Sequence, residues 1–269
     1  MTSAAQDLVN DFGEEQPIGA HHYRAWVGPP EYYDRIGALQ FTTLAQMGLR
    51  EHHKLLDVGC GSLRGGRLSI MYLRPGHYFG IEPTAWVLED GKRAHLGEEL
   101  LASKKPTFSN DADYTLTEFG EKFDFILVHS VFAHAPAVQI RRCMQEARKV
   151  MGKQSVLLAT YLEGDEDHVG DEWVYPWVTE FRPDTITQIV TEAGLKCVHL
   201  DLPHPFDQRW FAAVDPENDL DLAARVTGSE FTYEAHLQDK LQHFGVPRRS
   251  YADYLREDLE KRTDDRTPR

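Results

Sequence analysis

Asp57, Gly59, Gly61 and Glu82 are the residues whose types and spacing first suggest chemistry. In the run LLDVGCGSLRGG, residues 55–66, two leucines and a valine lead into Gly59-Cys60-Gly61, the pattern of a buried strand that breaks into a glycine turn. Glycines at such a turn let a ligand lie against the backbone, where any Cβ would hold it off. Further on, Tyr78-Phe79-Gly80-Ile81 ends in Glu82, an acid placed to accept hydrogen bonds from a ribose. A glycine turn with an acid one strand later is the arrangement that holds a nucleoside cofactor at the tips of parallel strands. A second reactive stretch is HSVFAH, with His129 and His134. Imidazole is the side chain best tuned to take a proton near neutral pH, as an alcohol or phenol nucleophile requires.

Asp57 helps separate two cofactor types. A dinucleotide would set its anionic pyrophosphate beside that carboxylate, whereas S-adenosylmethionine carries a sulfonium and an ammonium and no phosphate. The dinucleotide fingerprint G-x-G-x-x-G also fails, since Arg64 stands at its third glycine. With apolar-apolar-D-x-G-x-G at residues 55–61 and Glu82 after the next strand, the chain resembles the class I S-adenosylmethionine-dependent methyltransferases over residues 26–215. The resemblance implies an α/β fold: a doubly wound, mainly parallel seven-stranded sheet with an antiparallel edge hairpin, N-terminal lid helices and a C-terminal helical extension. It implies cofactor contacts from Asp57, Gly59, Cys60, Gly61, Arg64, Glu82 and Pro83. It also implies contacts from Tyr114, from His129 at the end of the fourth strand, and from an acid after the third strand, Asp113 in preference to Asp111. Tyr33 and Gln40 are the implied lid contacts to the acceptor. The motif N/D-P-P-Y of many amino methyltransferases is replaced by HSVF, and no metal-binding acid stands between residues 129 and 134.

The elements that must position these residues follow from periodicity. A loose arm is expected over residues 1–20, lid helices over 21–50 with one long helix at 32–49, and a methyltransferase core over 51–215. Strands are predicted at 55–58, 77–81, 106–108, 123–128, 155–160, 195–202 and 208–214. Helices are predicted at 65–73, 84–101, 137–151 (ended by Gly152) and 183–193. Residues 161–182 are too polar for core and too aromatic for a plain linker, so they are expected to cap an acceptor pocket, with Tyr161, Trp173 and Trp177 as contacts. Beyond residue 216, two amphipathic helices are expected up to 262, as a pocket cover or a homodimer interface, and a disordered tail over 263–269.

Bulk properties narrow the classes. The chain has 269 residues, 43 acids against 29 bases, and a formal charge of −14, which counts against a nucleic-acid substrate. No apolar run is long enough for a membrane span, and the N-terminus lacks the basic and apolar regions of a signal peptide. Three widely spaced cysteines read as reduced thiols of a cytoplasmic protein, with Cys60 packed under the loop rather than acting as a nucleophile. The acids at 165–172 lack a metal-ligand spacing, so no metal is expected. The leading expectation is O-methylation of a small metabolite such as a sugar or polyketide by S-adenosylmethionine, with His129 or His134 as base. The alternatives are a non-catalytic binder of that cofactor and an NAD(P)-dependent oxidoreductase.

Overall fold

The computed structural model describes residues 12–226. Its eight strands are β1 (Leu55–Val58), β2 (Tyr78–Ile81), β3 (Thr107–Ser109), β4 (Phe123–Val128), β5 (Met151–Glu163), β6 (Glu180–Phe181), β7 (Lys196–Leu200) and β8 (Gln208–Val214). Seven lie in the order β3-β2-β1-β4-β5-β8-β7, and β6 pairs with the end of β5 off that path. From β3 to β5 the pairing is parallel, and β8 runs antiparallel to both β5 and β7. The doubly wound, mainly parallel sheet and its antiparallel edge hairpin are those the sequence predicts, and β6 is an addition.

Both faces of the sheet are covered, which is why its central strands read as continuous apolar runs. Leu56 and Val58 of β1 join one core layer with Phe79, Ile126, Leu157 and Phe211. That layer is closed by α5 (Ala137–Val150) and α6 (Pro183–Glu192). Helix α5 contributes Ile140, Cys143, Met144 and Ala147, one stripe at helical spacing. Leu55 joins the other layer with Tyr78, Phe125, Leu127 and Trp210. Leu44, Ile70 and Leu88 close that side from α1 (Tyr33–Gln46), α2 (Gly66–Tyr72) and α3 (Ala85–His95). Side chains alternate along a strand, so Asp57 is delivered to the same face as Leu55.

Several boundaries differ from the sequence reading. The helix expected over 84–101 is two helices, α3 and α4 (Gly97–Lys104), because Gly97 takes a left-handed φ of 64° at the junction. Helix α5 passes into β5 at Met151 with no turn at Gly152, and β5 runs on to Glu163. Residues 12–20, within the arm expected over 1–20, make contacts of their own. Gln16 N–H donates to Gly13 C=O and Gly19 N–H to Ala25 C=O, while the Phe12 ring lies 4.6 Å from the Arg24 guanidinium. After β8 a short α7 (Leu222–Val226) returns to α1, where the Gln46 amide donates to Arg225 C=O at 2.7 Å. The two helices expected near 231–245 and 250–259, the homodimer surface assigned to them, the tail and residues 1–11 lie outside the described residues. Among the described residues no helix is long and apolar enough to cross a membrane.

Two helices approach the glycine loop closely enough to exclude a methyl group. A Cβ on Gly37 of α1 would stand 2.4 Å from the Arg64 carbonyl oxygen, and one on Gly91 of α3 would stand 2.3 Å from that of Ser62. Alanine gains about 1 kcal/mol of helix propensity over glycine, whereas overpacking costs about 1–3 kcal/mol. Backbone neighbours cannot rotate away, so the steric effect wins. Gly91→Ala is therefore expected to be less stable than the native chain by about 1–2 kcal/mol, read as a lower urea midpoint at unchanged slope.

Candidate active site

The carboxyl ends of β1, β2 and β4 open on a cavity of about 560 Å³. This is where an open parallel sheet places its ligands, at the reversal of strand order. Its floor is the loop after β1. Gly59 and Gly61 both take left-handed φ, 72° and 55°. A Cβ on Gly59 would reach within 2.4 Å of Val131, and one on Gly61 within 2.6 Å of Val27. The turn is tied to β2 through Ile81 C=O, which accepts from the N–H groups of both Gly59 and Cys60. Glu82 completes the tie: one carboxylate oxygen accepts from Gly61 N–H at 3.0 Å and the other from Thr84 N–H at 2.8 Å. Burial raises the Glu82 pKa, and these two N–H donors oppose the rise.

Of the residues singled out in the sequence, Gly59, Cys60, Gly61, Arg64, Glu82, Pro83, Asp111, Tyr114, Gln40, His129, His134 and Trp173 all line this cavity. Five others do not. Asp57 lies under the turn, where its carboxylate accepts from the Tyr78 hydroxyl at 2.7 Å, because strand alternation sends it into the layer beneath the helices. Burial pushes its pKa up to about 6, against the Tyr78 hydrogen bond and the nearby Arg64. Asp113 is exposed and outside the cavity wall. Asp111 stands there instead, its carboxylate accepting from the N–H groups of Asp113 and Thr115.

Tyr33 is fully buried and anchors α1 to the loop. Its hydroxyl donates to Ser62 C=O at 3.0 Å and meets His95 Nε2 at 2.8 Å. Its ring lies between the Arg24 and Arg67 guanidinium groups, at 4.7 and 5.3 Å. Tyr161 continues β5 into the core and packs edge-on against Phe211 at 6.0 Å. The Trp177 ring is 40% exposed and outside the wall, and this residue contributes only its carbonyl.

Other wall residues join them, Ser130 and Tyr175 from stretches that the residue pattern marks (129–134 and 161–182) and the rest with no sequence signal of their own. Trp26 and Val27 come from the segment before α1, Ser130 from the turn after β4, Gln139 from α5 and Tyr175 from the 161–182 insertion. The roof is an aromatic series. Tyr175 donates its hydroxyl to Trp26 C=O, the two rings are 5.4 Å apart, and His134 meets Tyr175 edge-on at 4.9 Å. Arg64 spans roof and floor by donating to Val27 C=O at 2.6 Å. The Gln40 side-chain oxygen is buried in this wall and has no hydrogen-bond partner among the described residues. Cys60 stays a thiol, since burial raises its pKa well above the usual value. Among the described residues, no group of three or more His, Cys, Asp or Glu is close enough to hold a metal ion.

The two histidines are held differently. His129 is buried, with Nε2 at 3.0 Å from His204 Nε2 and Nδ1 at 3.1 Å from the Ser130 hydroxyl. His134 is half-buried and bonds through Nδ1 alone, 2.6 Å from Trp177 C=O, so Nδ1 carries the proton and Nε2 the lone pair. Burial lowers the pKa of both, that of His134 to about 4, so each is neutral at pH 7.

Comparison with known proteins gives this geometry its context. Residues 23–200 match the family model described as a methyltransferase domain. Among solved structures, the fold is similar to magnesium protoporphyrin IX methyltransferase (ChlM) from Synechocystis PCC 6803 with bound SAM. The two are 15% identical over 79% of this chain and 92% of that one, with a TM-score of 0.51. It is similar also to DhpI in complex with SAH, 15% identical over 80% of this chain and 100% of that one, with a TM-score of 0.53. The glycopeptide N-methyltransferase MtfA complexed with SAM is 11% identical over 67% of this chain and 94% of that one, with a TM-score of 0.52. At these identities the likeness is one of fold. The comparison with curated proteins found no match.

Asp57 has a pH signature. Its folded pKa of about 6 lies above the unfolded carboxylate value, so the native state binds its proton more tightly and loses stability as pH rises from about 4 to about 6. Asp57→Asn keeps an oxygen for Tyr78 and removes this loss. The variant is expected to gain on the native chain by about 2–3 kcal/mol between pH 4 and pH 6.5, with no further gain above. Urea unfolding of both proteins across that range measures the difference.

Proposed function

The chain belongs to the methyltransferase-domain family, and we propose that it transfers the methyl group of S-adenosylmethionine to an oxygen of a small-molecule acceptor. The residues present fit that cofactor. Gly59 and Gly61 form a cradle that side chains would fill. The Gln40 oxygen is a buried acceptor without a donor, the complement of an ammonium group. Glu82 and Asp111 stand where ribose and base edges would meet carboxylates. A pyrophosphate fits less well, because Glu82 already takes the Gly61 N–H that a phosphate at this turn would need.

Bound S-adenosylmethionine supplies a methyl group already activated on a sulfonium. What remains for the protein is alignment, exclusion of water and removal of one proton. Trp26, Trp173 and Tyr175 roof the cavity and present the aromatic surface that would shape an acceptor subsite.

The observation that carries the oxygen reading is the state of His134. Its Nδ1–H is committed to Trp177 C=O, and its Nε2 lone pair has no hydrogen-bond partner among the described residues in a wall where the acceptor would lie. A neutral imidazole in that tautomer accepts the proton of a hydroxyl as the oxygen attacks. His129, with both nitrogens engaged by protein groups, is not placed to do so.

The identity of the acceptor is tested by incubating the protein with methyl-labelled S-adenosylmethionine and an extract of the source cell, then reading by mass which compound gains the label. A product methylated on nitrogen or carbon would overturn the oxygen reading. Glu82→Ala is expected to weaken binding of S-adenosylmethionine at least tenfold by calorimetry, through the lost carboxylate and the loosened Gly61 turn. His134→Ala is expected to lower kcat by about 10²–10⁴-fold, the usual contribution of a positioned base, with cofactor affinity little changed. Because His134 is protonated only as pH falls through about 4, the acid limb of kcat is expected near pH 4 rather than near 6.5.

A further inference from the structure

The turn that follows β4 holds a polar network whose protons can be counted. His204 Nδ1 accepts the Phe206 N–H at 3.2 Å, so the proton of the neutral ring is on Nε2 and points at His129 Nε2, 3.0 Å away. His129 must therefore accept there and carry its own proton on Nδ1, which it donates to the Ser130 hydroxyl oxygen at 3.1 Å. The Gln208 amide nitrogen donates to the same oxygen at 3.0 Å. Thr160 holds that amide in place, its hydroxyl donating to Gln208 Oε1 at 2.6 Å while its oxygen accepts the Ser130 N–H at 2.8 Å. Both lone pairs of the Ser130 oxygen are then occupied, and its proton goes to the second lone pair of Gln208 Oε1. Among the described residues this is its one acceptor, and the bond is long, 3.2 Å against the 2.6 Å bond that the same oxygen takes from Thr160.

Ser130 is also unusual in its backbone. It adopts φ of 59°, a left-handed conformation rare outside glycine, asparagine and aspartate, and it lines both the main cavity and the small recess behind it. His134 lines both as well. The strained conformation therefore sets a hydroxyl whose proton has only a long partner in the same wall as the imidazole with a spare lone pair.

We propose that Ser130 is a specificity-determining residue, which donates its hydroxyl proton to a second oxygen of the acceptor beside the oxygen that is methylated. The inference rests on the oxygen-methylation reading above and narrows it. The site takes an acceptor with a hydroxyl next to another oxygen, such as an ortho-hydroxyaryl ketone or a vicinal diol. The nucleophilic hydroxyl gives its proton to His134 Nε2, and its neighbour receives a hydrogen bond from Ser130. A compound with an isolated hydroxyl leaves the Ser130 proton with a poor partner and loses orientation.

Two measurements test this. With methyl-labelled S-adenosylmethionine, 2′-hydroxyacetophenone and 4′-hydroxyacetophenone differ only in whether the hydroxyl has an oxygen neighbour. The ortho compound is expected to exceed the para compound at least tenfold in kcat/KM, and Ser130→Ala is expected to bring that ratio close to one. Equal turnover of the two by the native protein, methylation of neither, or an unchanged ratio in the variant would overturn the assignment. Calorimetry on the same samples separates the two levels. Cofactor binding without ortho preference overturns the Ser130 role alone, and absence of cofactor binding overturns the reading beneath it too. The second measurement needs neither variant nor acceptor. Long-range proton–nitrogen spectra of histidine-labelled protein are expected to show His129 as the Nδ1–H tautomer. An Nε2–H tautomer would overturn the proposal, because His129 Nδ1 would then consume the Ser130 proton.

Discussion

One carboxylate holds the cofactor side of this molecule together. Glu82 ends β2 and bridges the N–H of Gly61, beyond β1, to the N–H of Thr84, ahead of α3. Charge-assisted bonds to backbone donors are roughly twice as strong as neutral ones, and here they hold a turn that two left-handed glycines would otherwise leave free. Helices α1 and α3 then rest on the same loop at distances that only glycine allows. The floor of the cavity is thus fixed from β2 and from two helices at once, a rigid support of the kind a binding site needs.

The side proposed above for the acceptor is built on a different principle. Its roof comes from segments distant in sequence, Trp26 before α1 and Tyr175 in the insertion after β5, joined by a hydroxyl-to-carbonyl bond. Its polar groups are buried and neutral rather than ion-paired. His129, His204, Ser130, Thr160 and Gln208 satisfy one another through a chain of single protons. Such a network cannot change one tautomer without disturbing the next, so it fixes hydrogen-bond directions as well as positions.

The central strands β1, β2 and β4 were legible because each is a short, mainly apolar run buried on both faces, and β1, β4 and β8 begin and end where the residue pattern does. The glycine turn and the acid after β2 were legible because few physical needs place those residue types together. What escaped depended on geometry that residue types do not encode. Period-two alternation turns Asp57 away from the cavity, although Val58 and Gly59 beside it line the wall, and carries Tyr161 into the core. Asp111 and Asp113 differ by a local turn in which one carboxylate accepts the other residue's N–H. Ser130 lies in the stretch between His129 and His134 that the sequence marks, but its left-handed backbone appears only in three dimensions.

The insertion that supplies Trp173 and Tyr175 leaves the sheet at Leu162 and Glu163 and rejoins it at Glu180 and Phe181, which pair directly with those two residues as β6. Gly164 N–H also donates to Phe181 C=O, closing the base of the excursion. A loop whose two feet are bonded neighbours adds no lever arm to the scaffold. Its residues between Gly164 and Trp173 can be exchanged while every central strand keeps its register, whereas Val174 to Thr179 hold the turn after β4 through His134 and Ala133. The aromatic roof over the cavity can therefore be reshaped from one short stretch of sequence, with the turn that Glu82 holds left untouched.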